Sequence, residues 1–186
     1  MPNTGVIFMK NNLSYQTTKR SLTDKEAELL IREIRSLPGI IAYTKKDLKR
    51  FKEVWVAEIE GKFIGVVVNK DFWQDWTEVK ILFVKEEYRD QGIGLDLFKT
   101  ALNSIKERKR NLYVVSRNPI VVKWMKDEKI PLLKIYQLPI AIRLNIIKKS
   151  LNLQRIFEYL RKALILRNKH KWVYGVKRYP NAQSLL

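Results

Sequence analysis

Apolar and polar positions change period several times along this chain, and each change marks an element. Residues 76–84 are rich in β-branched and aromatic side chains and predict a strand. Soon after it, Ile93, Leu97, Phe98, Ala101, Leu102 and Ile105 recur with a helical period, and Lys109-Arg110 suits the C-terminal end of that helix. Residues 53–59 and 63–68, joined by Glu60-Gly61, predict a strand pair, and 112–116 a further strand. Upstream, Thr23-Asp24-Lys25-Glu26 is a capping box, opening a helix that carries Ala27, Leu29, Leu30 and Ile34 and stops at Pro38-Gly39. A short helix follows Thr44, with Leu48 and Phe51 inward. Residues 5–18 fit a hairpin turning at Asn11-Asn12, or one strand and a loop. After Pro119, Val121, Val122, Trp124 and Met125 fit a short helix, and 132–138 lies between two prolines as a candidate strand. Leu153, Ile156, Phe157, Leu160 and Leu164 form the apolar stripe of a basic amphipathic helix, and Trp172, Tyr174 and Val176 alternate as a last strand.

Between the strand at 76–84 and the helix from Ile93 stands Tyr88-Arg89-Asp90-Gln91-Gly92-Ile93-Gly94. Strand, glycine turn and helix start is a layout for holding a pyrophosphate, because a helix start offers unpaired N–H groups and a partial positive charge. The dinucleotide fingerprint needs a third glycine where Leu97 stands, and no Gly-Lys-Ser or Gly-Lys-Thr exists for a nucleoside-triphosphate loop. What fits is Arg-x-x-Gly-x-Gly.

On these residues and their order the sequence resembles the GNAT superfamily of acyl-CoA-dependent N-acetyltransferases. The resemblance is clearest over residues 53–126, where Arg117-Asn118-Pro119 matches the Asn that opens the family's next helix. It implies an α/β fold with a central, mostly antiparallel mixed sheet of six to seven strands flanked by helices. One domain is expected over residues 1–186, with 139–170 as a helical elaboration between the closing strands. The implied co-substrate is acetyl-CoA, held by Leu82, Phe83, Val84, Arg89, Asp90, Gln91, Gly92, Ile93, Gly94 and Asn118. The amides of Phe83 and Val84 are expected to meet pantetheine and polarise the thioester carbonyl. Glu78 is the candidate base for the acceptor amine, or else a carboxylate paired with Lys80 or Arg89. Arg89 either contacts the pyrophosphate or pairs with Glu86 or Glu87, and Asn118 either contacts pantetheine or caps its helix. Many family members carry a proton-donating Tyr seven residues after that Asn. Here the position is Met125, which leaves Tyr136 and Tyr88 as weak substitutes.

Composition narrows the chemistry. There is no cysteine, and the only histidine is His170. Acyl-cysteine chemistry and thiolate or histidine-rich metal sites are thereby removed, and no metal is expected. Carboxylates, tyrosines, backbone amides and water remain. Residues 1–100 hold 17 Lys and Arg against 15 Asp and Glu, and residues 101–186 hold 20 against 4, which together give the net +18. Such asymmetry suits nucleic acid or a ribosome as partner. A Lys-, Asn- and Ile-rich composition produces the same charge with no partner. The alternative to an enzyme is therefore a GNAT-scaffold RNA- or ribosome-binding module with weak or no catalysis. The aromatics of residues 71–76 suit a lid, a homodimer contact, an acceptor floor, or rings folded onto the core. No apolar run reaches the length of a membrane span, and the apolar patch at 5–9 is shorter than a signal peptide's core, so a cytoplasmic location is expected.

Overall fold

In the computed structural model, residues 6–10, 13–36, 43–73, 75–150 and 171–180 are described. Eight strands form one sheet, ordered β1-β2-β3-β4-β5-β6-β8-β7. They are β1 (Val6–Lys10), β2 (Leu13–Lys19), β3 (Glu53–Ile59), β4 (Lys62–Phe72), β5 (Trp76–Val84), β6 (Asn111–Ser116), β7 (Leu132–Leu133) and β8 (Val173–Lys177). Every pairing is antiparallel except β5 with β6. The helices are α1 (Asp24–Ser36), α2 (Lys45–Lys49), α3 (Ile93–Glu107), α4 (Pro119–Asp127) and α5 (Ile140–Ser150). The mixed, mostly antiparallel sheet agrees with expectation, and the N-terminal segment resolves as a hairpin, Val6 pairing Thr17.

The strand count exceeds the expected six to seven because β1 and the two-residue β7 both pair. Beyond Leu133 the candidate strand at 132–138 fails. Gln137 turns back on Lys134, its Oε1 accepting the Lys134 N–H at 2.9 Å and its own N–H donating to the Lys134 carbonyl at 2.9 Å. A local turn thus takes the backbone groups that a ladder would need. The basic stripe from Leu153 to Leu164 lies outside the described residues. No described helix is long and apolar enough to cross a membrane.

Two apolar layers sandwich the sheet. On one face Ile93, Leu97, Phe98, Ala101 and Ile105 of α3 are buried against Ile64, Val67, Val79 and Leu112. The buried positions are those of the helical period, and each large side chain contributes about 1.5–3 kcal/mol. On the other face Ala27, Leu30 and Ile34 of α1 and Leu48 of α2 pack on Val54, Val66, Val68, Ile81 and Phe83. The α1 capping box forms as read: Thr23 N–H donates to Glu26 at 2.7 Å and Glu26 N–H to Thr23 Oγ1 at 3.3 Å. Ile142 of α5 is buried with Trp76, Tyr113 and Val176 at the far side of the sheet.

Asp71, at the end of β4, ties this frame together. It accepts from Thr77 at 2.6 Å and from Arg108 at 2.8 Å, and lies 3.3 Å from Arg110. Burial pushes its carboxyl pKa up, but the Arg108 and Thr77 hydrogen bonds and the two guanidinium charges outweigh that and hold it below the usual carboxylate range. A folded pKa lowered in this way adds stability above the unfolded value, about 3.9, and the gain is lost as pH falls through the depressed value. Asp71 is partly exposed, so solvent screens these pairs, and Asp71→Asn is expected to lower stability by no more than about 1 kcal/mol at pH 7. The gap to wild type in urea midpoint should close on acidification below about pH 4.

Candidate active site

β5 and β6 pair in parallel only over Trp76–Val79 and Asn111–Val114. Beyond that, β5 stays with β4 while Val115 and Ser116 of β6 follow β8. The two strands therefore part, and a cleft of about 430 Å3 opens between them. One wall is Leu82, Phe83 and Val84; the other is Asn118, Ile120, Val121 and Trp124 of α4. The floor is Arg89, Asp90, Gly92 and Gly94.

That floor is shaped by backbone. A short 3-10 turn at Glu86–Tyr88 leads into Asp90 at φ 61° and Gly92 at φ 85°, both left-handed, and Gly92 is the N-cap of α3. The Gly92 carbonyl accepts Leu95 and Asp96 N–H at 3.0 and 3.1 Å. The N–H groups of Ile93 and Gly94, at the first two helical positions, have no acceptor within the helix. At Gly94 an added Cβ would stand 3.0 Å from Trp124 Cη2, so only hydrogen lets α4 approach this closely. Gln91 Nε2 donates to the Glu87 carbonyl at 3.3 Å.

Amide direction on β5 can be deduced from its ladder. Lys85 N–H donates to the Ile64 carbonyl at 2.9 Å, so Lys85 faces β4. Alternation turns Phe83 the same way, and Leu82 and Val84 toward the cleft. Arg89 Nε donating to the Val84 carbonyl at 3.1 Å agrees with this. The expectation that Phe83 and Val84 amides both meet one ligand is corrected here, because neighbouring strand residues point opposite ways. Leu82 and Val84 are the pair on the cleft side. Arg89 is exposed and makes no described ion pair with Glu86 or Glu87.

Asn118 caps α4, its Oδ1 accepting Ile120 N–H at 2.9 Å, and lines the cleft as well. Glu78 is 2% exposed and its Oε1 lies 3.2 Å from Lys80 Nζ, so the expected Lys80 pairing is present. It stands opposite Lys70 on β4 and beside Tyr113 on β6. Burial, and then the charge of Glu78, push the Tyr113 hydroxyl pKa up. Lys80 is an extra residue in the ladder: Asn69 pairs Val79 and Val68 pairs Ile81. Such a bulge re-aims side chains.

Tyr136 is corrected as a site residue. It is 66% exposed with Lys134 over its ring, and it is not among the residues lining the cleft. The 3-10 turn at Ile135–Gln137 is what turns it out to solvent. Met125 is fully buried in the core. Tyr88 packs against the core under α3.

Two features escaped the sequence. Tyr15 of β2 donates to Asp96 Oδ2 at 2.5 Å, tying the first turn of α3 to a strand 81 residues away. Burial, then the Asp96 hydrogen bond, push the Tyr15 hydroxyl pKa up. A second cavity of about 350 Å3 lies near α2, with Lys80 in its wall. Among the described residues, no group of three His, Cys, Asp or Glu could hold a metal ion.

Residues 50–129 match the family model described as acetyltransferase (GNAT) domain. The matched stretch is 80 of the chain's 186 residues and contains the turn from Arg89 to Gly94. Solved structures share the fold of this chain at low identity. N-acetylglutamate synthase from Neisseria gonorrhoeae, complexed with coenzyme A and N-acetyl-glutamate, is 17% identical at TM-score 0.63. The match covers 90% of this chain and 35% of that one, so this chain spans about a third of the synthase. Rv2747 from Mycobacterium tuberculosis, in complex with CoA, is 14% identical at TM-score 0.63, covering 87% of this chain and 98% of that one. The ribosomal-protein-S18-alanine N-acetyltransferase from Escherichia coli is 12% identical at TM-score 0.57, covering 91% and 98%. No curated protein matches this chain.

The cleft depends on close passage of β4 past β5. At Gly65 an added Cβ would stand 2.9 Å from the Phe83 carbonyl and 3.2 Å from Leu97. Gly65→Ala should cost about 1–3 kcal/mol, the range of an overpacked core, measured by urea unfolding.

Proposed function

We propose that this protein is an N-acetyltransferase that moves an acetyl group from acetyl-CoA to an amine directly, in a ternary complex, without an acyl-enzyme. One observation carries the reading: strands β5 and β6 part, and the gap ends on the glycine-capped start of α3. A cleft of that form suits a long thioester with a diphosphate at one end. The CoA-bound relatives of the same fold support the choice of co-substrate.

In this reading Ile93 and Gly94 N–H groups hold the diphosphate at the helix start, and Arg89 adds a charge-assisted contact. Asp90 and Gln91 shape the turn and complete the cradle. Leu82 and Val84 amides line up with the pantetheine arm, and one of them polarises the thioester carbonyl as negative charge grows there. Asn118 fixes the arm from the α4 side. Glu78 takes the proton from the acceptor ammonium, which at a pKa of about 10.4 has no lone pair at neutral pH. The new C–N bond forms as the C–S bond breaks, CoA leaves as thiolate, and the nitrogen's second surplus proton passes to that thiolate or to water. No described residue of the cleft is a tyrosine that could protonate it. The basic residues of 101–186 remain the observation behind the alternative, a scaffold that binds RNA or a ribosome with weak catalysis.

Purified protein with acetyl-CoA and a panel of amines should release free CoA, and calorimetry should show acetyl-CoA binding that Gly92→Glu abolishes through bulk and like charge. Binding that survives the substitution would remove this cofactor site. Glu78→Gln should keep acetyl-CoA affinity and slow transfer about 10²–10⁴-fold, the scale of a lost general base, read from single-turnover rates.

A further inference from the structure

The second cavity lies on the side of the sheet away from α3, between α2 and the bulged stretch of β4 and β5. Its wall carries Arg50, Lys52, Lys70 and Lys80, with Asp47, Glu53 and Asp71. The three carboxylates are engaged by groups outside the cavity. Glu53 accepts from Lys19 at 2.5 Å and Ser104 at 3.1 Å and lies 3.8 Å from Arg108. Asp71 is held by Arg108, Arg110 and Thr77. Asp47 closes a capping box with Thr44 at 2.8 Å. The wall alone has one cation in excess. Adding Lys19, Arg108 and Arg110 on one side and Glu78 on the other leaves an excess of three among the described residues.

We infer that this cavity takes the acceptor, and that the acceptor is a small amine bearing a second carboxylate, of the acidic amino-acid class. The inference rests on the acetyltransferase reading above. Location is the first argument. Lys80 lines the cavity and touches Glu78, while Leu82, two residues on, lines the cleft, so β5 is the wall common to both spaces. Sign is the second. A bare ammonium entering this field is repelled, whereas an added carboxylate offsets the excess and finds Arg50 and Lys52 at the rim. The same field disfavours the ammonium form of the bound amine and so helps supply the neutral nucleophile. The volume, about 350 Å3, is that of a small-molecule site.

The full chain, with acetyl-CoA at saturation, is given glutamate, aspartate, glutamine, asparagine, putrescine or a peptide beginning with Glu, and CoA release is followed. Glutamate or aspartate should exceed its amide in kcat/KM by about tenfold or more, the scale of one charge-assisted contact, and exceed putrescine further. Arg50→Gln should raise KM for the acidic substrate about tenfold and leave the amide's KM unchanged, with acetyl-CoA affinity intact. Equal or faster transfer to amides or putrescine overturns the inference. So does acetyl-CoA binding with no transfer to any amino acid. Preference for the peptide over free glutamate overturns the small-molecule assignment. Loss of acetyl-CoA binding in the wild-type chain, read separately by calorimetry, removes the acetyltransferase reading and this inference with it.

Discussion

Parallel pairing of β5 with β6 lasts four residues, and most of what this chain can do follows from its ending there. A strand in the middle of a sheet normally spends its N–H groups on both neighbours. Past Val79, β5 keeps β4 on one side and has no strand on the other, so Leu82 and Val84 present backbone groups to a cleft instead of a ladder. Exposed strand edges usually invite a further strand. Here α4 stands across the gap, held at a distance by Trp124 against Gly94 and Phe98, so a slender extended ligand fits where a strand would not.

The same divergence explains why the site needs α3 in one position. In the proposed reading, the helix start must lie at the mouth of the gap for its N–H groups to meet the charged end of the thioester. Buried contacts of Leu97, Phe98 and Ala101 set the helix on the sheet. Tyr15 on Asp96 fixes its first turn, and Asp71 with Arg108 and Arg110 fixes the region just past its last. None of these groups needs to touch a substrate. Each acts on where Gly92 and Gly94 sit.

Much of this was legible in the sequence because it is local. The turn from Arg89 to Gly94 is contiguous, the α1 capping box spans four residues, and the strands announce themselves by composition. Even the amide directions on β5 could have been read, since alternation forbids Phe83 and Val84 from facing the same side. What stayed hidden joins distant positions or depends on register. Nothing in the letters connects Tyr15 to Asp96. The bulge at Lys80 is invisible without the pairing of Asn69 with Val79. Tyr136 looked usable until the Lys134–Gln137 turn placed it in solvent.

Glu78 has two demands to serve. A buried carboxylate without a partner would be costly and would hold its proton. Lys80, two residues on, supplies a cation at 3.2 Å and favours the ionised form that a base requires. Strong pairing, however, makes a carboxylate a weaker base, so the two demands pull against each other at this one residue.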